Sequence, residues 1–228
     1  MKTFLILFLL FISSISFSQI KVEVKDISDD YFAEITIADT NDYDKPGVIT
    51  VYDKKSNAKL IGVEFKGIIL ELHYGKILCN ISEMPYIKQS FIIYQDFNFD
   101  GVKDFALLDG FNGCYSLPSY QVFLANNGQF VLNKDFTDLA QNNCGMFAVN
   151  YEKKTIKTFK KDGDCWIEYS EYIIENNVPK LISVITEDLA TDDAYVYITT
   201  QKLVGEKWKK TRRRIKIEDY YKEKEGEK

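Results

Sequence analysis

The chain has one histidine, His73, among 228 residues. A Ser–His–acid triad or a histidine-rich metal centre therefore has a single imidazole to draw on. His73 lies in Leu70–Tyr74, where alternation of apolar and polar residues assigns it to an ordinary strand position. No G-x-S-x-G elbow, H-E-x-x-H pair or G-x-x-x-x-G-K loop occurs, which removes the common hydrolase, zinc-protease and nucleotide-binding motifs. The acid pairs Asp29/Asp30 and Asp192/Asp193 sit in turn-like contexts, where solvated turn residues are expected rather than a glycosidase pair. The chain does not read as an enzyme.

Long apolar runs are also missing beyond the N-terminus. Phe4–Ile12 is apolar, follows Lys2, and precedes the small residues Ser13, Ser14, Ser16 and Ser18. That is the layout of a signal peptide over residues 1–18, with Gln19 as the mature N-terminus. The run is too short for a transmembrane span, and no later run is longer, so no stable membrane insertion is expected. A periplasmic or secreted protein follows. The formal net charge is −5, and one unit more negative once Lys2 leaves, which disfavours nucleic acid and anionic membranes and favours a basic partner. The basic run Lys207–Lys216, with Arg212, Arg213 and Arg214, is expected to be a solvated strand face rather than a nucleic-acid patch. The four cysteines, Cys79, Cys114, Cys144 and Cys165, show no C-x-x-C spacing. In an exported chain they predict two disulfides, with Cys114 joined to Cys165 or Cys144 and the loop at 110–120 braced as a result. Asn80-Ile-Ser82 fits the glycosylation pattern, which matters only in a eukaryotic secretory pathway.

What is present is strand after strand. Ile20–Val24 alternates apolar and charged residues, and Phe32–Ile37 follows. Val48–Tyr52 and Leu60–Phe65 flank the turn Lys54–Asn57 and read as a hairpin. Gln121–Leu124 and Gln129–Leu132 flank Asn127-Gly128, a strong hairpin signal. Phe136–Gln141 reads as a helical turn, and a meander runs from Phe147 to Ile215. The fold class is all-β: an antiparallel meander, arranged as an incomplete β-propeller or a sandwich, with no internal repeat regular enough for a full propeller. The expected regions are 19–85, an N-terminal β part; 86–220, a second β part; and 221–228, a charged tail that frays.

The second part opens with the most informative stretch, Asp96-Phe-Asn98-Phe-Asp100-Gly101-Val102-Lys103-Asp104. Oxygen-bearing side chains recur at loop positions 1, 3, 5 and 9, with Gly at position 6 and the Val102 carbonyl available at position 7. Calcium takes six to eight hard oxygens, and a tight loop can supply them from alternate residues. Leu107 stands where an EF-hand needs its bidentate Glu, and the flanks Phe91–Tyr94 and Phe105–Leu108 read as strands. The motif is therefore a strand–calcium loop–strand unit, with Asp96, Asn98, Asp100, Val102 and Asp104 as candidate Ca2+ ligands. Asp109 or water is left to complete the shell.

The next segment, Asp109-Gly-Phe-Asn-Gly-Cys-Tyr-Ser-Leu-Pro-Ser-Tyr120, combines glycines, a cysteine, a proline and aromatics. A rigid loop bearing Tyr suits protein recognition; a structural loop whose aromatics cover the core is the alternative. Strand, calcium loop, apolar strand and this G-x-x-G-x-Y loop together resemble the calcium-binding, vestigial β-propeller family of periplasmic lysozyme inhibitors. That family includes immunity proteins against peptidoglycan-cleaving effectors. The resemblance extends over roughly residues 86–190, taking in Tyr151–Ile156 and Gly163–Trp166. It implies an inhibitor whose loop enters the cleft of a lysozyme-like glycoside hydrolase, with Tyr115 as the plug and Ser116 as a second contact. A calcium-stabilised surface adhesion or binding module is the alternative, and a glycan-active enzyme using acid pairs a more distant one.

Overall fold

A computed structural model describes residues 19–38, 45–68, 72–73, 76–77, 82–84, 87–89 and 91–226. The signal segment at 1–18, Cys79 and Asn80 lie outside the described residues. The architecture is all-β and antiparallel, in three successive meanders. The first sheet runs β1 (Gln19–Val24), β2 (Tyr31–Ala38), β3 (Lys45–Asp53) and β4 (Lys59–Ile68) in chain order. Two short hairpins follow, β5 (Leu72–His73) with β6 (Lys76–Ile77), and β7 (Ser82–Met84) with β8 (Ile87–Gln89). The second sheet is β9 (Ile92–Gln95), β10 (Asp104–Gly110), β11 (Ser119–Asn126) and β12 (Gln129–Leu132). Helix α1 (Lys134–Gln141) leads to the third sheet: β13 (Ala148–Asn150), β14 (Thr155–Asp162), β15 (Trp166–Glu175), β16 (Val178–Asp188), β17 (Tyr195–Val204) and β18 (Lys207–Lys216). Helix α2 (Ile217–Gly226) closes the series.

The strands form where the alternation places one apolar face inward. In β2, Ala33, Ile35 and Ile37 are buried and their neighbours are not. Strand β10 differs, since all its residues but Asp109 are buried; a strand covered on both faces needs a continuous apolar run, here Phe105–Leu108. Its register sets Phe105 against Tyr94 of β9 and Phe123 of β11. One core joins the first two sheets, from Ile35, Val51 and Phe65 to Phe105 and Tyr120, so it is continuous across the join expected near residue 86. Tyr31 reaches over from the first sheet, edge-on to Tyr94, Phe105 and Phe130. Ile156, Tyr172 and Ile174 attach the third sheet to that core.

The far end of the third sheet has a core of its own. Helix α2 folds back so that Tyr220 packs with Val196 and Ile198. The Tyr220 hydroxyl donates to Glu187 Oε2 at 2.7 Å, and Lys224 Nζ lies 3.1 Å from Glu187 Oε1. This corrects the expectation of a frayed tail from 221. The helix runs on to Gly226 because Tyr220 is buried and Lys224 meets a buried carboxylate. Helix α1 begins earlier than the expected turn, since the Asn133 side chain accepts from the Phe136 amide and caps it.

The first sheet packs so closely at Gly47 that a Cβ there would lie 2.3 Å from the Phe65 ring and 2.3 Å from the Thr36 carbonyl oxygen. Overpacking of this kind costs about 1–3 kcal/mol. Gly47→Ala is expected to lower the urea midpoint accordingly with little change in the slope of the transition. An unchanged midpoint would mean that β3 and Phe65 can separate freely.

Candidate functional site

Two loops flank β10, one at each end. The first, Asp96–Lys103, is shaped by its own carboxylates. Asp96 Oδ1 and Asn98 Oδ1 both accept from the Asp100 amide, at 3.2 and 3.3 Å. Asp96 Oδ2 accepts from Gly101 at 2.9 Å, and Asp100 Oδ1 accepts from Val102 at 2.7 Å. Gly101 has a φ of 89°, the conformation that a Cβ opposes. Asp104 lies beneath, fully buried, with one oxygen accepting from the Phe97 amide and the other from Ala125 of β11 at 2.8 and 2.9 Å. Burial above all, with a smaller push from Asp100 and Asp96, raises its carboxyl to about 6 against the two amide bonds that lower it.

The donor set is all hard oxygen, which suits calcium in chemistry. Asn98 Nδ2 donates to Asp100 Oδ2 at 2.8 Å, while the Asp104 carboxylate anchors the loop to β11. Each carboxylate oxygen carries two lone pairs, so an amide bond leaves room for an ion. Among the described residues, however, no three side chains drawn from His, Cys, Asp and Glu are arranged to hold a metal together. Val102 is exposed. Asp109 does not complete this shell. It stands five residues along β10 from Asp104, about 17 Å away at strand spacing, and both its oxygens are engaged elsewhere.

The first loop also reaches the third sheet. Asn98 Nδ2 donates to Asn177 Oδ1 at 2.9 Å, and Asn133 Nδ2 donates to the Asn177 carbonyl. The β15–β16 turn is thereby held to the loop and to the cap of α1.

The second loop follows Gly110 and carries Tyr115. Cys114–Ser116 forms a single 3-10 turn, in which Tyr115 and Ser116 have φ of 53° and 57°. Left-handed backbone at non-glycine residues costs about 1–2 kcal/mol each, so the surroundings must hold the pair. A disulfide joins Cys114 to Cys144, just beyond α1. The Cys114 amide donates to the Asn143 carbonyl, and the Gly113 amide to that of Leu117. A Cβ on Gly113 would come within 2.9 Å of both carbonyl oxygens, so only glycine fits there. At the base, Asp109 Oδ1 accepts from Ser119 Oγ and Asp109 Oδ2 from Gln141 Nε2. Asn112 donates to Ser119 Oγ through both its amide and its side chain.

Of the two pairings expected for Cys114, the structure forms the one with Cys144. Cys165 is a free, exposed thiol in the described residues. The two expected regions, calcium loop and Tyr115 loop, lie at opposite ends of β10 instead of side by side. Tyr115 is 57% exposed, far more than a ring covering the core would be. Lys161, from the β14–β15 hairpin, holds its ammonium 5.1 Å from the Tyr115 ring centre. Nothing in the sequence links positions 115 and 161; Cys144 donating its amide to the Phe159 carbonyl is what draws the hairpin in. His73 stands in a strand, β5.

Fold and site define an all-β meander protein with a disulfide-pinned, tyrosine-bearing loop. No helix among the described residues is long and apolar enough to cross a membrane. No protein-family model matches the chain, and no curated protein matches it. The fold is similar to that of a Xanthomonas type IV secretion system related protein, with a TM-score of 0.59 and 20% identity. The likeness covers 86% of this chain and 97% of that one, so nearly all of that protein's fold is present here.

Asp109 is expected to set the shape of the second loop. Asp109→Ala strands the Ser119 hydroxyl and the Gln141 amide, and should cost about 1–3 kcal/mol. Chymotryptic cleavage at Tyr115 should quicken beyond what the fall in global stability accounts for. No change, or quickening no greater than the fall in stability accounts for, would mean that the disulfide alone shapes the loop.

Proposed function

We propose that the protein is an exported inhibitor of lysozyme-like peptidoglycan hydrolases, acting through the Tyr115 loop. The observation that carries this reading is an exposed tyrosine on a backbone fixed by a disulfide and by the Asp109 cluster. Pre-ordering of this kind lowers the entropy cost of binding. A lysozyme-like cleft places two carboxylates on either side of the sugar bond. The Tyr115 phenol donates a hydrogen bond to such a carboxylate, and Ser116 supplies a second hydroxyl; Lys161, paired with Asp164, packs beside the ring and supports it. The resemblance of the two loops to the periplasmic lysozyme inhibitors supports the same reading. The fold shared with a type IV secretion system related protein is compatible with it.

Calcium belongs to this proposal as a structural ion. Asp96, Asn98, Asp100, the Val102 carbonyl and Asp104 are the residues that would hold it, and its charge would offset the three carboxylates. It acts at the far end of β10 from Tyr115. Its effect on inhibition is therefore exerted through the stability of the second sheet.

Lysis of cell walls by lysozyme-like hydrolases, followed by turbidity, tests the function. The parent is expected to protect. Tyr115→Ala should weaken inhibition by about 2 kcal/mol or more, as loss of a central aromatic anchor does. Protection by Tyr115→Ala equal to the parent would remove the plug. No protection by the parent, with binding to glycan or cell surface retained, would point to the adhesion module instead.

Thermal melts in calcium and in EGTA test the ion. A ligand at a hundred times its Kd stabilises by about 2.7 kcal/mol, so calcium should raise the melting temperature of the parent. The double variant Asp96→Asn/Asp100→Asn should lose that response. EGTA should weaken inhibition less than Tyr115→Ala does. Identical melts of the parent in both buffers would discard calcium.

A further inference from the structure

The basic run at the end of the third sheet is more organised than a solvated edge requires. Strand β18 is exposed almost throughout and pairs with β17 on one edge. It carries seven cations, from Lys207 to Lys216, in a chain of formal net charge −5. Alternate residues share a face, so Lys210, Arg212, Arg214 and Lys216 form one row. The register sets Arg214 opposite Tyr197 and Lys216 opposite Tyr195 on that face. Helix α2 covers the opposite face, where Val196, Ile198 and Ile215 lie.

The two arginines of the row are fixed. The Arg212 guanidinium carbon lies 4.2 Å from the Tyr197 ring centre, and that of Arg214 lies 4.7 Å from the Tyr195 ring centre. A guanidinium stacked on a ring keeps its N–H edge free for a bidentate anion. Neither makes an ion pair among the described residues, and nor does any other cation of β18. Asp188, opposite Tyr197 on the same face, accepts from Thr191 Oγ1 and from the Ala190 and Thr191 amides. The Thr191 hydroxyl above all, with a smaller push from the nearby Arg212 charge, lowers its pKa, but Asp188 and Arg212 form no ion pair. Cations that serve only to blunt a sheet edge need no such ordering.

We infer that this face of β18 binds a linear phosphodiester polymer of the cell envelope, a polyol or glycan chain with phosphates at regular intervals. Charges in the row repeat about every 6.7 Å, the spacing of alternate strand residues. Two arginine forks, Arg212 and Arg214, are flanked by the point charges Lys210 and Lys216, and phosphate accepts both. A second copy is disfavoured, since edge-to-edge pairing would set cations against cations. Single-stranded nucleic acid is disfavoured too. Its bases need open aromatic platforms, and the faces of Tyr195 and Tyr197 are taken by arginine, which leaves only Trp208, at 46% exposure, at the end of the row.

The test uses the chain from Gln19 to Lys228 and fluorescently labelled poly(glycerol phosphate), read by anisotropy at low and moderate salt. Binding is expected in the parent. Arg212→Gln/Arg214→Gln should weaken it by about tenfold or more, since each lost fork removes a charge-assisted pair. Its melting temperature should stay that of the parent, because both side chains are exposed. Arg212→Lys/Arg214→Lys should fall between the two. Lys153→Gln/Lys154→Gln, which removes the same charge from the β13–β14 turn, should leave binding unchanged. Equal losses in the two glutamine variants would reduce the effect to net charge and overturn the site. So would absent binding in the parent. Tighter binding of oligo(dT) or poly-glutamate of matched charge would assign the face to a nucleic acid or an acidic protein instead.

Discussion

Two carboxylates on one buried strand organise the molecule. Asp104 opens β10 and Asp109 lies near its end, and each has both oxygens occupied by donors from other elements. Asp104 ties the first loop to β11 through the Ala125 amide. Asp109 ties the second loop to α1 through Gln141. Asp104 is buried and would be costly without partners; with two partners each, Asp104 and the half-buried Asp109 turn a strand into a spacer of fixed length between two loops. Everything functional in the second sheet is hung from that spacer. The first loop reaches the Tyr115 loop by two routes, along β10 and through Asn177 and the Asn133 cap to α1, which carries Gln141 and leads to Cys144.

Much of this fold was legible because the strands are local. Alternation in Ile20–Val24 and the Asn127-Gly128 turn needed no knowledge of distant residues, and the matching strands formed as expected. The apolar run Phe105–Leu108 read as a strand, and the structure adds that both its faces are buried. Helix α2 was not legible, because its charge pattern is that of a solvated tail and only the packing of Tyr220 on Val196 and Ile198 holds it down. The cross-links of the site were hidden for the same reason. Asn98 and Asn177 are 79 positions apart, and Lys161 meets Tyr115 through a hairpin drawn in by Cys144. Cys114 had two candidate partners in the sequence, and the seat of Cys144 beside Asn143 decides between them. The motif Asp96–Asp104 was visible as a list of ligands. That Asp104 is a buried anchor, and that Asp109 belongs to the other loop, follows only from strand length.

Charge is divided along the chain as sharply as structure is. The first loop gathers acids, whereas β18 gathers cations, and few of the ion pairs among the described residues are buried. Lys21–Glu34, Lys55–Asp30 and Lys180–Glu175 lie at the surface, where such pairs contribute little. Lys224–Glu187 is different, because the Glu187 side chain is nearly covered. Electrostatics therefore stabilise this protein at a few enclosed points and leave the rest of its charge free for encounter.

The position of α2 has a consequence for how the molecule comes into being. Neighbouring strands in the meanders are neighbours in sequence, so a chain emerging N-terminus first can zip hairpin by hairpin. The third sheet is the exception. Val196 and Ile198 stay uncovered until Tyr220 arrives, so helix α2 acts as a latch that closes only after β17 and β18 have formed. Loss of α2 would leave a complete set of strands and an open apolar face.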